Sequence, residues 1–154
     1  MRFDFVTPIN SMSIRCNTVL LCVSSILSAE SGMWTFVNVV ESLRVLKLNE
    51  RMQLETHSYW EFDDEDKGKT TFRLEIWSTD ENLVATGTEH TVDVAESGTA
   101  RIKQTGFVLP PTEGKYVVRM AWRKGDGEWS RSEARWRITV ELVTDPAHQT
   151  LATI

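Results

Sequence analysis

The residues able to do chemistry in this chain are three histidines, two cysteines, a short run of carboxylates and a late cluster of arginines. Their spacing decides what chemistry each could support. His57, His90 and His148 fall on separate segments, with none of the H-x₃-H spacing that lets one element grip a metal with two imidazoles. Cys16 and Cys22 share one apolar run, where burial raises a thiol's pKa and suppresses its nucleophilicity. If that run is extended, the two sulfurs stand roughly 20 Å apart, beyond the reach of a disulfide. Two free thiols are therefore expected. The serines lie in no G-x-S-x-G elbow, and no phosphate-cradling or dinucleotide glycine fingerprint is present. The expectation is a non-enzymatic protein with no catalytic residues, no cofactor and no metal site.

The acidic run Glu61, Asp63, Asp64, Glu65 and Asp66 has the carboxylates that a hard cation needs, but lacks the spacing and terminal Glu of a helical calcium loop. A solvated hairpin tip that blunts a sheet edge accounts for the same residues. The arginines are more distinctive. The chain carries a net charge of −5, yet residues 114–142 hold seven Lys or Arg against four Asp or Glu. Overall acidity speaks against nucleic-acid binding, while the basic segment marks one face with its own electrostatics. Arg119, Arg123, Arg131, Arg135 and Arg137, together with Trp129, are placed on the outward face of the last two strands. Arg and Trp are enriched in interface hot spots, and this face is expected to meet a protein partner or a second copy of the chain. The same residues also make ordinary cross-strand pairs. The rival reading is a carbohydrate-binding module with Trp129 and Trp77 as stacking platforms.

The elements that position these residues read as strands. Period-two alternation recurs between turn residues, and helical periodicity is weak throughout. Strands are expected over 14–23, 34–45, 52–62, 70–78, 83–95 and 99–109, followed by a final hairpin. The 34–45 run is long enough to pass from one sheet to another. Met52, Leu54, Trp60 and Phe62 share an inward face, with Gln53, Glu55, His57, Tyr59 and Glu61 outward. A bulge or bend is expected at Gly87, and Gly106 shifts the alternation before Phe107. About eight strands at regular spacing imply an all-β, two-sheet antiparallel sandwich. Its domain covers residues 14–143, between an N-terminal extension (1–13) and a C-terminal tail (144–154).

Burial selects the register of the final hairpin. A two-residue Asp126-Gly127 loop would turn arginines into the core, which their charge forbids. A three-residue Gly125-Asp126-Gly127 loop sets Arg123 across from Trp129 and Arg119 across from Glu133. It also gives Gly127 the positive φ of a G1 bulge. Trp136 then faces the core and Arg131 faces away, so that replacing Arg131 or Arg135 should change stability by only about 0.5 kcal/mol.

The Cys-containing first strand, Leu109-Pro110-Pro111 and Gly114-Lys115-Tyr116 resemble a family of small bacterial proteins of unknown function. The resemblance spans most of residues 14–143 and implies an immunoglobulin-like sandwich. It supplies no activity, and the arginine- and tryptophan-rich final hairpin departs from it. Free thiols suit a cytoplasmic protein. The alternative is secretion, with Met12, Arg15, the apolar run and Ala29 imitating a signal peptide over 12–29. No stretch approaches the ~20 apolar residues of a membrane span.

Overall fold

Alternation of apolar and polar side chains organises residues 14–149, the span that the structure, a computed structural model, describes. Residues 1–13, expected as an extension, and the last five residues of the expected tail lie outside it. Eleven strands form among the described residues. They are β1 (Arg15–Leu27), β2 (Trp34–Val39), β3 (Ser42–Val45), β4 (Arg51–Phe62), β5 (Gly68–Ser78) and β6 (Leu83–Thr86). β7 (His90–Val94), β8 (Gly98–Val108), β9 (Gly114–Lys124), β10 (Ser130–Arg131) and β11 (Trp136–Leu142) complete the set. The first sheet has the order β2-β1-β4-β8, and the second β3-β11-β9-β5-β6, with β10 beside β9 and β7 beside β5. The molecule is an all-β sandwich, as its alternation predicts.

The inward faces interdigitate. Leu21, Leu54, Trp60 and Phe107 from the first sheet meet Phe72, Ile76, Val118, Met120 and Ile138 from the second. Trp60 sets its ring edge-on to Phe72 (4.7 Å between centroids) and to Trp122 (5.5 Å), the arrangement that ring quadrupoles favour.

The strand count exceeds the expected eight because three runs break. The 34–45 run changes sheets. Val40 donates its N–H to Leu21 of β1, whereas Glu41 accepts from Thr139 of β11, so neighbouring residues bond to opposite sheets. β3 then runs parallel to β11, with Val140 opposite Leu43. This corrects the expectation of purely antiparallel sheets. β3 arrives by crossing between layers, and that connection does not impose the antiparallel pairing of a tight hairpin. The 83–95 run breaks at Gly87, whose N–H bonds Leu74 and whose absent Cβ would sit 3.1 Å from Leu74 Cβ. The final strand divides into β10 and β11. The first strand runs on past Val23 because β2 folds back along it, from Cys22 opposite Val39 to Leu27 opposite Trp34.

In the acidic loop, Asp64–Asp66 forms a single 3₁₀ turn. Asp66 is fully buried, accepts from the Asp63 N–H at 2.7 Å and pairs with Lys124 Nζ at 2.9 Å. The solvated-tip expectation therefore fails at this residue, whose carboxylate anchors the loop to β9.

Candidate functional site

The outward face of the second sheet is built around a carboxylate that sequence reasoning did not single out. On β5 the even positions Phe72, Leu74 and Ile76 enter the core, which sends Arg73, Glu75 and Trp77 outward. Glu75 is nevertheless 0% exposed, because its neighbours close over it. Arg73 donates to Glu75 Oε1 from Nε (3.0 Å) and Nη2 (2.6 Å). Arg131 Nε donates to Oε2 at 2.9 Å, and Trp77 Nε1 donates to the same oxygen at 3.0 Å. Ala121 lies opposite both Arg73 on β5 and Arg131 on β10, and its small side chain is itself buried in this row.

Guanidinium groups stack on both indoles. Arg73 and Arg123 stand 3.9 and 4.6 Å from the Trp129 ring centroid. Arg131 and Arg119 stand 4.9 and 5.7 Å from that of Trp77. Glu89 joins Arg73 (3.6 Å) to Arg123 (3.1 Å), and Glu81 meets Arg119 at 3.5 Å. An array of alternating cations and aromatic faces results.

Four of the six predicted residues, Arg119, Arg123, Trp129 and Arg131, thus come together. Arg135 and Arg137 do not join them. Both are exposed and line a shallow groove with Lys115, Glu41 and Thr79, Arg137 lying opposite Val117 of β9. The hairpin register holds where β10 pairs with β9, Ser130 opposite Trp122 and Arg131 opposite Ala121. It lapses afterwards. Ser132 bonds Met120 through both its N–H and its Oγ, and by β11 Trp136 is opposite Val118. Two corrections follow. Arg119 is held by Glu81 and Trp77, not by Glu133 across the hairpin. The positive φ falls on Gly125 (52°), not on Gly127. Trp136 does pack toward the core, half-buried, with Nε1 donating to the Val40 carbonyl at 2.7 Å. Arg131 is not a neutral surface position, because it is bonded to a buried carboxylate.

A second cluster occupies the outward face of the first sheet. Thr18 pairs with Tyr59 although Cys16 pairs with Trp60, so the strand carries a bulge between them. The bulge breaks the alternation: Cys16 belongs to the core, while Cys22 faces outward opposite Glu55. His57, two residues along β4 from Glu55, shares that face, which confirms its side but not its exposure. It is 3% exposed, covered by Trp34 and Phe36 of β2 with ring centroids at 5.2 and 4.9 Å. Glu55 Oε1 accepts from Lys103 Nζ at 2.7 Å. Its Oε2 accepts from Ser25 Oγ at 2.5 Å and meets His57 Nε2 at 3.1 Å. The other imidazole nitrogen, Nδ1, is buried without a hydrogen-bond partner.

Cys22, His57 and Glu55 are each shifted from their ordinary values. Burial pushes the Cys22 thiol up to about 11, with the Glu55 charge adding to the effect, and burial pushes Cys16 up to about 12. Burial lowers the His57 pKa, against the opposing pull of Glu55. Burial disfavours ionised Glu55, but the hydrogen bonds from Lys103, Ser25 and His57 outweigh it and hold the carboxyl below its ordinary value. Neither cysteine is disulfide-bonded, and neither is activated as a nucleophile.

No helix among the described residues is long and apolar enough to cross a membrane. Compared with protein-family models and with curated proteins, the chain gives no match.

Proposed function

We propose that this protein is a non-enzymatic binding module that contacts a protein partner, or a second copy of itself, through the outward face of its second sheet. The observation that carries this reading is the preorganisation of that face. Long arginine side chains ordinarily lose rotamer freedom when a partner immobilises them. Here Arg73, Arg119, Arg123 and Arg131 are already held by carboxylates and indoles, so less freedom remains to be lost. Exposed Arg135 and Arg137 extend the basic surface toward β11. Carbohydrate binding is the weaker reading, because both tryptophans that would serve as platforms already have guanidinium groups against their rings.

An immunoglobulin-like arrangement accompanies the proposal. Supporting it are an edge strand β3 parallel to the last strand and Tyr116, near the start of β9, whose hydroxyl donates back to the Thr112 carbonyl at 2.8 Å. Such a tyrosine corner lies near the start of the penultimate strand in sandwiches of that kind. We further read the protein as cytoplasmic. β1 (Arg15–Leu27) lies between β2 and β4 with Leu21 and Cys22 fully buried, so this run is read as a strand of the domain and not as a signal peptide.

The test is an affinity capture and a sedimentation measurement on the wild type and on Arg123→Ser/Arg135→Ser/Arg137→Ser. Partner or self-association should weaken in the variant, with a smaller salt dependence, while the circular dichroism spectrum stays the same. Undiminished association in the folded variant would place the binding surface elsewhere.

A further inference from the structure

The cluster on the first sheet carries an inference independent of the binding face. We propose that Cys22, Glu55 and His57 form a site for one zinc-type divalent cation. A thiol sulfur, a carboxylate oxygen and an imidazole nitrogen from these residues all lie within 4.8 Å of one another. They come from β1 and β4, the two interior strands of the sheet, Cys22 directly across from Glu55 and His57 two residues along. Main-chain pairing therefore fixes their relative positions, as a metal site requires.

The donor set selects the ion. Thiolate and imidazole suit zinc and its neighbours, whereas calcium and magnesium demand six or more oxygens. At the usual bond lengths, a tetrahedral centre holds sulfur, nitrogen and oxygen donors about 3.3–3.6 Å apart. His57 Nε2 and Glu55 Oε2, at 3.1 Å, are already close to that spacing. The main adjustment is a side-chain movement that brings Sγ in. Three protein donors leave the fourth position to water. Binding replaces the thiol proton, Cys–SH plus M²⁺ giving the metal thiolate and one H⁺ released to solvent.

The surroundings serve an outer shell. Ser25 and Lys103 hydrogen-bond Glu55 and orient its carboxylate, and Trp34 and Phe36 fix the imidazole ring edge-on. Lys103 takes Glu55 Oε1 and leaves Oε2 beside the imidazole.

The test uses the full chain, reduced and dialysed free of metal, titrated with Co²⁺ and then competed with Zn²⁺. Expected are one equivalent of Co²⁺ with near-ultraviolet thiolate-to-metal absorption, its displacement by Zn²⁺, and a higher melting temperature on adding Zn²⁺. Cys22→Ser and Glu55→Gln should each weaken binding, Cys22→Ser by at least ~100-fold, the upper end of what loss of an outer-shell partner costs. Cys16→Ala, which removes the core thiol, should leave the absorption in place. Absence of stoichiometric binding by the wild type overturns the proposal. So does thiolate absorption that survives Cys22→Ser, or that vanishes in a folded Cys16→Ala.

Discussion

Each outer face of this sandwich carries a carboxylate drawn in among cations and aromatic rings, but the two are satisfied by different chemistry. Glu75, on the second sheet, is bonded by two guanidinium groups and an indole and is entirely enclosed. Arginine does not lose its proton in proteins, so those donors stay charged across the working pH range. Glu55, on the first sheet, has one ammonium, a hydroxyl and an imidazole as partners, with a protonated thiol alongside. Two of those neighbours, His57 and Cys22, can change protonation or accept a metal. The comparison separates a face whose charges are locked, which suits a rigid contact surface, from one whose groups can be exchanged, which suits a ligand site.

Removing the carboxylate should show how much the locked face contributes. Glu75→Ala leaves the donor groups of Arg73, Arg131 and Trp77 without their acceptor. Breaking a buried ion pair from one side typically costs 3–5 kcal/mol. Arg131 is 40% exposed and can recover water, so a loss of about 3 kcal/mol is expected, at the low end of that range. Urea unfolding measures it. A loss below the effect of an ordinary surface substitution, about 0.5 kcal/mol, would mean that Arg73 and Arg131 are held by their other contacts, Glu89 and the indoles.

A smaller effect is expected at the indole. Trp129→Ala removes two guanidinium contacts at a half-buried ring, each contributing at least the ~0.5–1 kcal/mol of an exposed pair. The sum is at least about 1–2 kcal/mol. Pairing it with Arg123→Ser in a double-mutant cycle sharpens the point, since contacting residues should be non-additive. Strict additivity would show that Arg123 is held by Glu89 rather than by the ring.

How much of each face was legible in the sequence differs for a physical reason. Alternation along β5 and β9 is uninterrupted, so their outward residues, including Arg119, Arg123 and Trp77, follow from parity alone. Which strand lies beside which does not. Arg73 and Glu75 became part of the array only once β5 was seen to lie against β9, a pairing between segments far apart in the chain. Parity along an unbroken ladder would group Arg135 and Arg137 with the array, but beyond Arg131 Ser132 turns its hydroxyl into the backbone and the register shifts. On the first sheet a single bulge after Cys16 reverses the parity of everything downstream in β1. Cys16 and Cys22, six positions apart, would share a face of an unbroken strand but point to opposite faces, so the Cys22–Glu55–His57 cluster does not follow from parity.

The smallest effect separates the two faces by pH. His57 has a folded-state pKa below its ordinary 6.5, chiefly through burial. The unfolded chain therefore binds a proton at this position more readily than the folded one. The associated stability is fully present above about 6.5 and declines as pH falls through the folded-state value, because protonation then favours the unfolded state. Glu55, also held below its ordinary value, adds a second decline in the same direction at lower pH, beneath 4.5. The charges facing the ring are Glu55, which resists the downward shift, and Lys103 and Arg101, which reinforce it. The wild type should lose stability between pH 7 and pH 5, and His57→Gln should flatten that part of the profile without abolishing the later decline from Glu55. Chemical denaturation of the wild type and His57→Gln across that range tests the statement. An identical slope in the wild type and His57→Gln would mean that the imidazole is equally free to protonate in the folded chain, and the contrast between the faces would then rest on geometry alone.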